Sequence, residues 1–493
     1  MNLEISQMIS LGVWELVDPP PNVRLIQNKW IFKVKLQSDG TIERYKARSV
    51  LKGFTQKKGI DFHEVYAPVI RFEALRVILN VTLREDLVAY QADVASAFLN
   101  ADLDIPLYMP EPDGFDSKTG KVLLLKKSIY GLKQSPKLFY EKMKSVLEEL
   151  DLSESMADPC VFIGNPADKL IISLYVDDLI VVGKTEEVVV SFLERLKQRL
   201  QIKYPKLEYF LGLQIKRTAT SLFIHQERYA NELLEKFGMS ERKPVATPLC
   251  RDIYSEDTSE EAQVPFREAV GSLQWLVKST RPDLAFAVSF LSRHLERPTK
   301  KIWSLLQRTL RYLRGTSRYG IRYEKDGDEN YYYFSDSDYA SCPLSRRSVS
   351  GTMVVANQGP IFWSAVLQKS AVLSSCEAEL FSATHAAQSI MYIHRLTSEL
   401  GYNKLPTLLI DNQATIALLE SNGFHKRSKH VSVRSFYIKS LIDSKQIQLA
   451  FVGSESNCAD LCTKPSNKTT FQRLRSLVGV KEVPSDENSS LQN

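Results

Sequence analysis

The sequence predicts an α+β fold built from more than one domain. Three observations lead there. The chain's 493 residues exceed what one ordinary hydrophobic core organises. Short β-rich apolar runs alternate with segments of helical period. Acidic residues recur where those β runs end. The most informative run, Leu170 to Val182, reads Leu-Ile-Ile-Ser-Leu-Tyr-Val-Asp-Asp-Leu-Ile-Val-Val, a hairpin with Asp177 and Asp178 at its turn. Adjacent carboxylates in so apolar a segment call for a counter-charge, and a divalent cation shared with phosphate supplies one. An exposed turn that simply uses Asp is the other reading.

Hydrophobic residues make up 44% of the chain and aromatic residues 10%, a globular composition that excludes wholesale disorder. Lys and Arg outnumber Asp and Glu by six, which favours a polyanionic partner. The six cysteines form no CxxC pair, so reduced thiols in a cytosolic or nuclear setting are expected. No signal peptide opens the chain, and no apolar run reaches membrane-spanning length.

In chain order, a short N-terminal helix leads to the turn Asp18-Pro19-Pro20-Pro21. Lys29 to Leu36 alternates as a strand, turns at Ser38-Asp39-Gly40, and returns over Thr41 to Gly53. Arg44, Lys46, Arg48 and Lys52 make this a basic hairpin, suited to phosphate or else a charged edge that resists aggregation. Phe72 to Leu87 has helical period, and Tyr90 to Leu99 runs from strand into helix. Lys137–Leu150 and Val188–Leu200 are amphipathic helices, and Gln201 to His225 returns to strands. An acid-rich connector, Arg251 to Gln263, precedes helices from Val264 to Gly315 that break at Arg281-Pro282-Asp283. The aromatic strand Tyr331 to Phe334 opens a further domain, and the polar tail from Pro484 is expected to be disordered.

Two acid constellations stand out. In the first, Asp93 closes a short strand before a helix and would join Asp177 and Asp178. In the second, Asp336 and Asp411 end strands, while Glu379 and Asp460 lie in segments that read as helical. Each acid alone is an ordinary turn or cap residue. Converging sets of three or four describe sites for two divalent ions roughly 3.5–4 Å apart, the arrangement of phosphoryl-transfer and nuclease chemistry.

With these residues in view, Trp14 to Phe237 resembles the reverse transcriptase of Ty1/copia-type LTR retrotransposons. The resemblance is carried by Trp30-Ile31-Phe32-Lys33-Val34-Lys35, Arg44-Tyr45-Lys46-Ala47-Arg48, Gly59-Ile60-Asp61-Phe62 and Ala67-Pro68-Val69. It continues through Gln91 to Leu99, Tyr130-Gly131-Leu132-Lys133-Gln134-Ser135-Pro136 and Tyr175-Val176-Asp177-Asp178. Downstream, Ser335-Asp336-Ser337-Asp338, Ser374 to Leu380, Asp411-Asn412-Gln413 and Ala459-Asp460-Leu461-Cys462-Thr463-Lys464-Pro465 resemble the ribonuclease H domain of the same elements.

The resemblance implies a right-hand polymerase of fingers, palm and thumb followed by a ribonuclease H-like mixed α/β domain. Its boundaries fall at 1–240 for fingers and palm, 241–328 for a helical thumb or connection, 329–480 for the ribonuclease H-like domain and 481–493 for a disordered tail. It implies RNA-directed DNA synthesis and cleavage of the RNA strand of hybrids. Asp93, Asp177 and Asp178 would bind metal in the palm, and Asp336, Glu379, Asp411 and Asp460 in the nuclease, with Asp338 and Glu377 ranked second. Each site would take two Mg²⁺ or Mn²⁺ ions.

Lys46 and Arg48 would meet the incoming triphosphate. Phe98 would exclude a ribose 2′-hydroxyl, or else pack in the core. Tyr130, Gly131 and Gln134 would lie near the templating pair. Leu211 and Gly212 would form a primer grip, or else a plain hairpin turn. Partners implied are an RNA template, a DNA primer, the RNA–DNA hybrid and deoxynucleoside triphosphates, with no membrane. A homo- or heterodimer and contacts with other Gag or Pol products are left open. The chain reads as the C-terminal part of a longer polyprotein, cytoplasmic in a virus-like particle, with later nuclear access. A decayed or co-opted element would differ by a lost metal ligand, and none of the seven is lost; a catalytically silent structural subunit is the other alternative, and no interface pattern in the sequence decides it.

Overall fold

The structure is a computed structural model and describes residues 1–36, 41–115, 117, 119–255, 257–328, 330–343, 345–421 and 429–484. The expected turn Ser38-Asp39-Gly40 and the tail beyond Pro484 lie outside the described residues. The chain forms two compact units. One comprises Met1–Ile70 with Val88–Lys206, and the other Arg71–Leu87 with the described residues from Leu207 onward.

The first unit is organised by a six-stranded sheet. Its order is Ile202–Lys203, Val88–Val94, Asp178–Gly183, Ile171–Tyr175, Val161–Ile163 and Ser153–Glu154. Near-continuous apolar runs build its centre: Ile171 to Leu174 and Leu179 to Val182 are all buried. The helix Glu186–Lys197 packs on the strands Val88–Val94 and Asp178–Gly183 through Val189, Phe192, Leu193 and Leu196, the i, i+3, i+4, i+7 stripe of an amphipathic helix. Thr185 caps it by accepting from the Val188 N–H, with Glu186 and Glu187 in the first turn and Arg195 and Lys197 in the last. A smaller sheet, in the order Trp14–Val17, Val122–Lys127, Asp102–Met109, closes over a core that includes Met8, Val13, Leu99, Leu107, Leu125 and Ile129. Asn28–Leu36 and Ile42–Leu51 form the basic hairpin in antiparallel register, Lys33 opposite Lys46 and Ile31 opposite Arg48.

The second unit holds two five-stranded sheets. One is antiparallel, in the order Tyr209–Phe210, Leu213–Arg217, Ser221–His225, Tyr319–Glu324 and Val480–Glu482. The other is mixed, in the order Gly359–Leu367, Val349–Ala356, Tyr332–Asp338, Thr407–Ile410 and Gln448–Phe451, its last two pairings parallel. The 25-residue helix Ser375–Glu399 packs on this mixed sheet. The helices Phe266–Ser279, Ala285–Ser292 and Lys300–Arg314 fall where the sequence pattern put them, broken at the short 3₁₀ turn Pro282–Leu284. There Arg281 and Asp283 are fully buried and paired at 2.8 Å, and the Tyr312 hydroxyl also donates to Asp283 at 2.6 Å. Burial opposes the Asp283 charge, but the Arg281 guanidinium holds its carboxyl below the usual range.

The contacts do not divide the chain at 240. The helix Phe72–Arg84 is buried along almost its whole length against the helix Ser375–Glu399 and the strands Ser221–His225, Tyr319–Glu324 and Gly359–Leu367. Arg76 donates to the Ile361 carbonyl at 2.9 Å and the Lys278 carbonyl at 3.0 Å. The hairpins from Tyr209 to His225 share a sheet with Tyr319–Glu324. Residues 481 and 482, expected in a disordered tail, pair with Gly320 and Tyr319, because an edge strand gains ladder hydrogen bonds there.

Candidate active sites

In the first unit, Asp93 lies directly opposite Asp178 on adjacent antiparallel strands, and Lys203 lies opposite Asp93 on its other side. Directly opposed residues share a face of the sheet, so the three project together. Tyr175 pairs with Asp178, leaving Val176 and Asp177 as a two-residue turn. Val176 sits at φ +54°, a region a β-branched residue rarely enters, so the turn holds local strain. The Val94 N–H donates to the Asp177 carbonyl at 2.9 Å and fixes the turn against the Asp93 strand. Burial, with Asp177 and Asp93 adding like charge, pushes Asp178 up to about 6. Burial also raises Asp177, against the opposing pull of Arg48 and Lys46.

A cleft of about 1390 Å³ joins these acids to the basic hairpin. Asp93, Asp177, Ser96 and Tyr130 line it with Lys33, Arg44, Lys46 and Arg48. The hairpin register puts those four cations on one face, since 44, 46 and 48 alternate and 33 opposes 46. The Arg48 guanidinium stacks 4.5 Å from the centre of the Tyr130 ring, and Tyr130 meets Phe98 edge-on at 5.3 Å. Phe98 also touches Phe139 edge-on at 6.2 Å and is half-buried, so it both packs and presents a surface.

Gly131 adopts φ +94°, and a Cβ there would stand 2.2 Å from the Leu51 carbonyl oxygen. Gln134, expected at the substrate surface, is instead fully buried. Its amide donates to the Asp61 carbonyl at 2.9 Å and accepts from Gln56 at 3.0 Å, so it props the loop from below. Leu211 and Gly212, at φ +49° and +79°, form the two-residue turn between Tyr209–Phe210 and Leu213–Arg217, a hairpin of the second unit. Trp275 lies against Gly212 there.

In the second unit, Asp336 near the end of Tyr332–Asp338 and Asp411 just after Thr407–Ile410 neighbour each other across a parallel pair, with Ser335 opposite Ile410. Asp460 joins them from the 3₁₀ turn Cys458–Cys462, which packs against Val349–Ala356. Gly351 permits that approach, because a Cβ there would meet Thr463 Cγ2 at 2.5 Å and the Ala459 oxygen at 2.7 Å. Asn457 pins the turn by donating to the Ser335 carbonyl at 3.0 Å. Asp336, Asp411 and Asp460 each offer one oxygen, all within 4.8 Å of one another.

Glu379 completes the set from the helix Ser375–Glu399. One of its oxygens accepts from the Ser337 N–H and hydroxyl at 3.1 and 2.9 Å, and its buried Oε2 has no hydrogen-bond partner among the described residues. Burial, then the charges of Asp336 and Asp411, raise Glu379 to about 8. Burial raises Asp336, Asp411 and Asp460 as well. Glu377, two residues away, is a cap: its carboxylate accepts from the Leu373 N–H at 3.0 Å while Ser374 accepts from the Glu377 N–H. Asp338 is half-buried and raised by burial. Ser454 donates to Asp411 at 3.1 Å.

Residues 11–251 match the family described as reverse transcriptase (RNA-dependent DNA polymerase). The chain is 35% identical over 497 residues to the retrovirus-related Pol polyprotein from transposon TNT 1-94 of Nicotiana tabacum. That match covers 97% of this chain and 37% of the relative. It is 35% identical to the corresponding polyprotein from transposon RE1 of Arabidopsis thaliana, covering 98% of this chain and 34% of the relative. The chain carries a copia-type reverse transcriptase region. It spans about a third of the length of those polyproteins. In fold it is similar to a foamy viral protease-reverse transcriptase solved with an RNA/DNA hybrid, at TM-score 0.51 and 12% identity over 91% of this chain and 52% of that one.

A reverse transcriptase region implies a divalent metal ion, and the acids of the second unit fit one. They offer hard oxygen donors only, three within 4.8 Å and a fourth with an unengaged oxygen. Asp93, Asp177 and Asp178 share one strand end, but among the described residues their oxygens are not gathered to that spacing. The sequence pattern gave no role to Lys464, whose Nζ is 3.0 Å from Asp460 and 3.9 Å from Asp336. Its place four residues after Asp460 was the available signal. Nor did it single out Glu4, which lines the cleft and is raised by burial against the pull of Arg48 and Lys46.

Proposed function

We propose that this chain is an RNA-directed DNA polymerase with a second, hybrid-cleaving nuclease site. The observation that carries the reading is one cleft holding Asp93 and Asp177 opposite four cations on a single hairpin face. Acids that hold divalent ions and cations that hold phosphate are the two halves of nucleotidyl transfer.

In this reading Asp93, Asp177 and Asp178 would hold two Mg²⁺ or Mn²⁺ ions, whose charge would favour ionisation of the primer 3′-hydroxyl and offset charge on the leaving pyrophosphate. Lys46 and Arg48 bind the triphosphate, Arg48 as a planar fork already oriented by Tyr130. Phe98, braced by Tyr130 and Phe139, limits space beside the sugar. The primer oxygen attacks the α-phosphorus, a phosphodiester forms and pyrophosphate departs. The template is RNA, the primer DNA, and Leu211 and Gly212 are offered as a primer contact.

At the second site Asp336, Glu379, Asp411 and Asp460 would hold the ions, which would activate a water for cleavage of the RNA strand to a 3′-hydroxyl and a 5′-phosphate. The buried, raised Glu379 carboxyl would give up its proton when the metal enters. Particle-associated, cytoplasmic synthesis belongs to the same proposal. The test is primer extension on poly(rA)/oligo(dT) with Mg²⁺ or Mn²⁺. Synthesis abolished by EDTA and restored by metal is expected. Folded protein that binds the hybrid yet extends no primer under either metal would contradict the reading.

A further inference from the structure

Four carboxylates meet in the second unit, and one ammonium is already among them. Lys464 Nζ lies 3.0 Å from Asp460 Oδ1 and 3.9 Å from Asp336 Oδ2. Among the described residues, no other cation pairs with Asp336, Glu379, Asp411 or Asp460. The preceding residue ties the same segment down, since the Thr463 hydroxyl donates to Asp336 Oδ2. Lys464 is therefore held against the oxygens that bring Asp336 and Asp460 together.

A divalent ion coordinates carboxylate oxygen at about 2.0–2.6 Å. An ammonium at 3.0 Å from Asp460 Oδ1 engages one of the oxygens open to such an ion, and the two positive charges repel. The Lys464 side chain is 39% exposed, and its flexible stem gives the ammonium a route to solvent.

Resting on the two-metal reading of this acid set, we infer that Lys464 is a built-in competitor of the metal. It holds Asp336 and Asp460 together before the ion arrives and must swing out when that ion is bound. Lys464 is thus a positioning residue that sets how readily the site fills. In the metal-free protein it offsets part of the repulsion among four buried acids. On metal entry its displacement weakens binding.

The experiment is a Mn²⁺ titration of the full chain by electron paramagnetic resonance, with thermal unfolding in EDTA alongside. Lys464→Gln should bind Mn²⁺ at this site about tenfold more tightly, within the usual range of coupling between competing ligands. The same variant should unfold at lower temperature in EDTA and recover when Mn²⁺ is added. Lys464→Arg, which keeps the charge, should stay close to the parent in both measurements and guards against a folding artefact.

Asp411→Asn identifies the signal that belongs to this site. If Asp411→Asn removes that signal but Lys464→Gln binds Mn²⁺ equally or more weakly, the competitor role is overturned. An unchanged affinity with hybrid cleavage lost at saturating metal also overturns it, and points instead to a phosphate contact. If Asp411→Asn leaves Mn²⁺ binding untouched, the acids are not a metal site, and both the reading beneath and the lysine's role fall.

Discussion

Glu379 carries the most perturbed acid of the second site, raised from the ordinary 4.5 to about 8. Between those values the folded protein holds a proton the unfolded chain has released. Stability without metal therefore falls as pH rises through that window, by at most about 1.4 kcal/mol per pH unit for this one group. In EDTA the unfolding midpoint should drop between pH 5 and pH 8, and Glu379→Gln should flatten most of that drop. A parent profile that stays level, or a variant with the same slope, would contradict the burial argument. Phe98 poses a different question. If it limits space beside the sugar, Phe98→Val should reduce discrimination between dTTP and UTP, read as the ratio of their kcat/KM values, by about tenfold or more. Equal loss with both nucleotides would assign Phe98 to packing alone. At this scale the acids were legible because a carboxylate that ends an apolar run is costly to bury without a cation beside it. Gln134 and Glu377 were not, since a side chain's burial and its backbone partners depend on how the chain packs around it.

Among the elements, two glycines do what no other residue can. Gly131 passes so close to Leu51 that the basic hairpin and the Tyr130 loop touch through backbone, with the Leu51 N–H donating to the Tyr130 carbonyl at 2.9 Å. Gly351 lets the turn bearing Asp460 rest on its strand. Gly351→Ala should push that turn outward and abolish hybrid cleavage while primer extension persists. Retained cleavage would show that the turn yields without losing Asp460. Helices and strands were legible wherever apolar period was strong, as in Glu186–Lys197 and Lys300–Arg314. The mixed strand order was not, because pairing Tyr332–Asp338 with Thr407–Ile410 joins runs some 70 residues apart through a crossover.

Over the whole molecule, the sequence pattern suggested boundaries at changes of composition, whereas the contacts divide the chain by packing. The helix Phe72–Arg84 is buried on nearly every side, Arg76, Asn80 and Thr82 included, and its apolar stripe does not say against what. Its partners lie in the strands Ser221–His225, Tyr319–Glu324 and Gly359–Leu367, so it belongs with the second unit despite its position in the chain. The two acid sets, by contrast, fall in different units, as their separate motifs implied.

Acid sets in separate units should work independently, and a crossed pair of variants distinguishes that from a shared site. Primer extension and hybrid cleavage would be measured on Asp177→Asn and on Asp411→Asn, with folding checked by circular dichroism. Asp177→Asn should abolish extension and keep cleavage, and Asp411→Asn should do the reverse. Loss of both activities in either folded variant would contradict that independence.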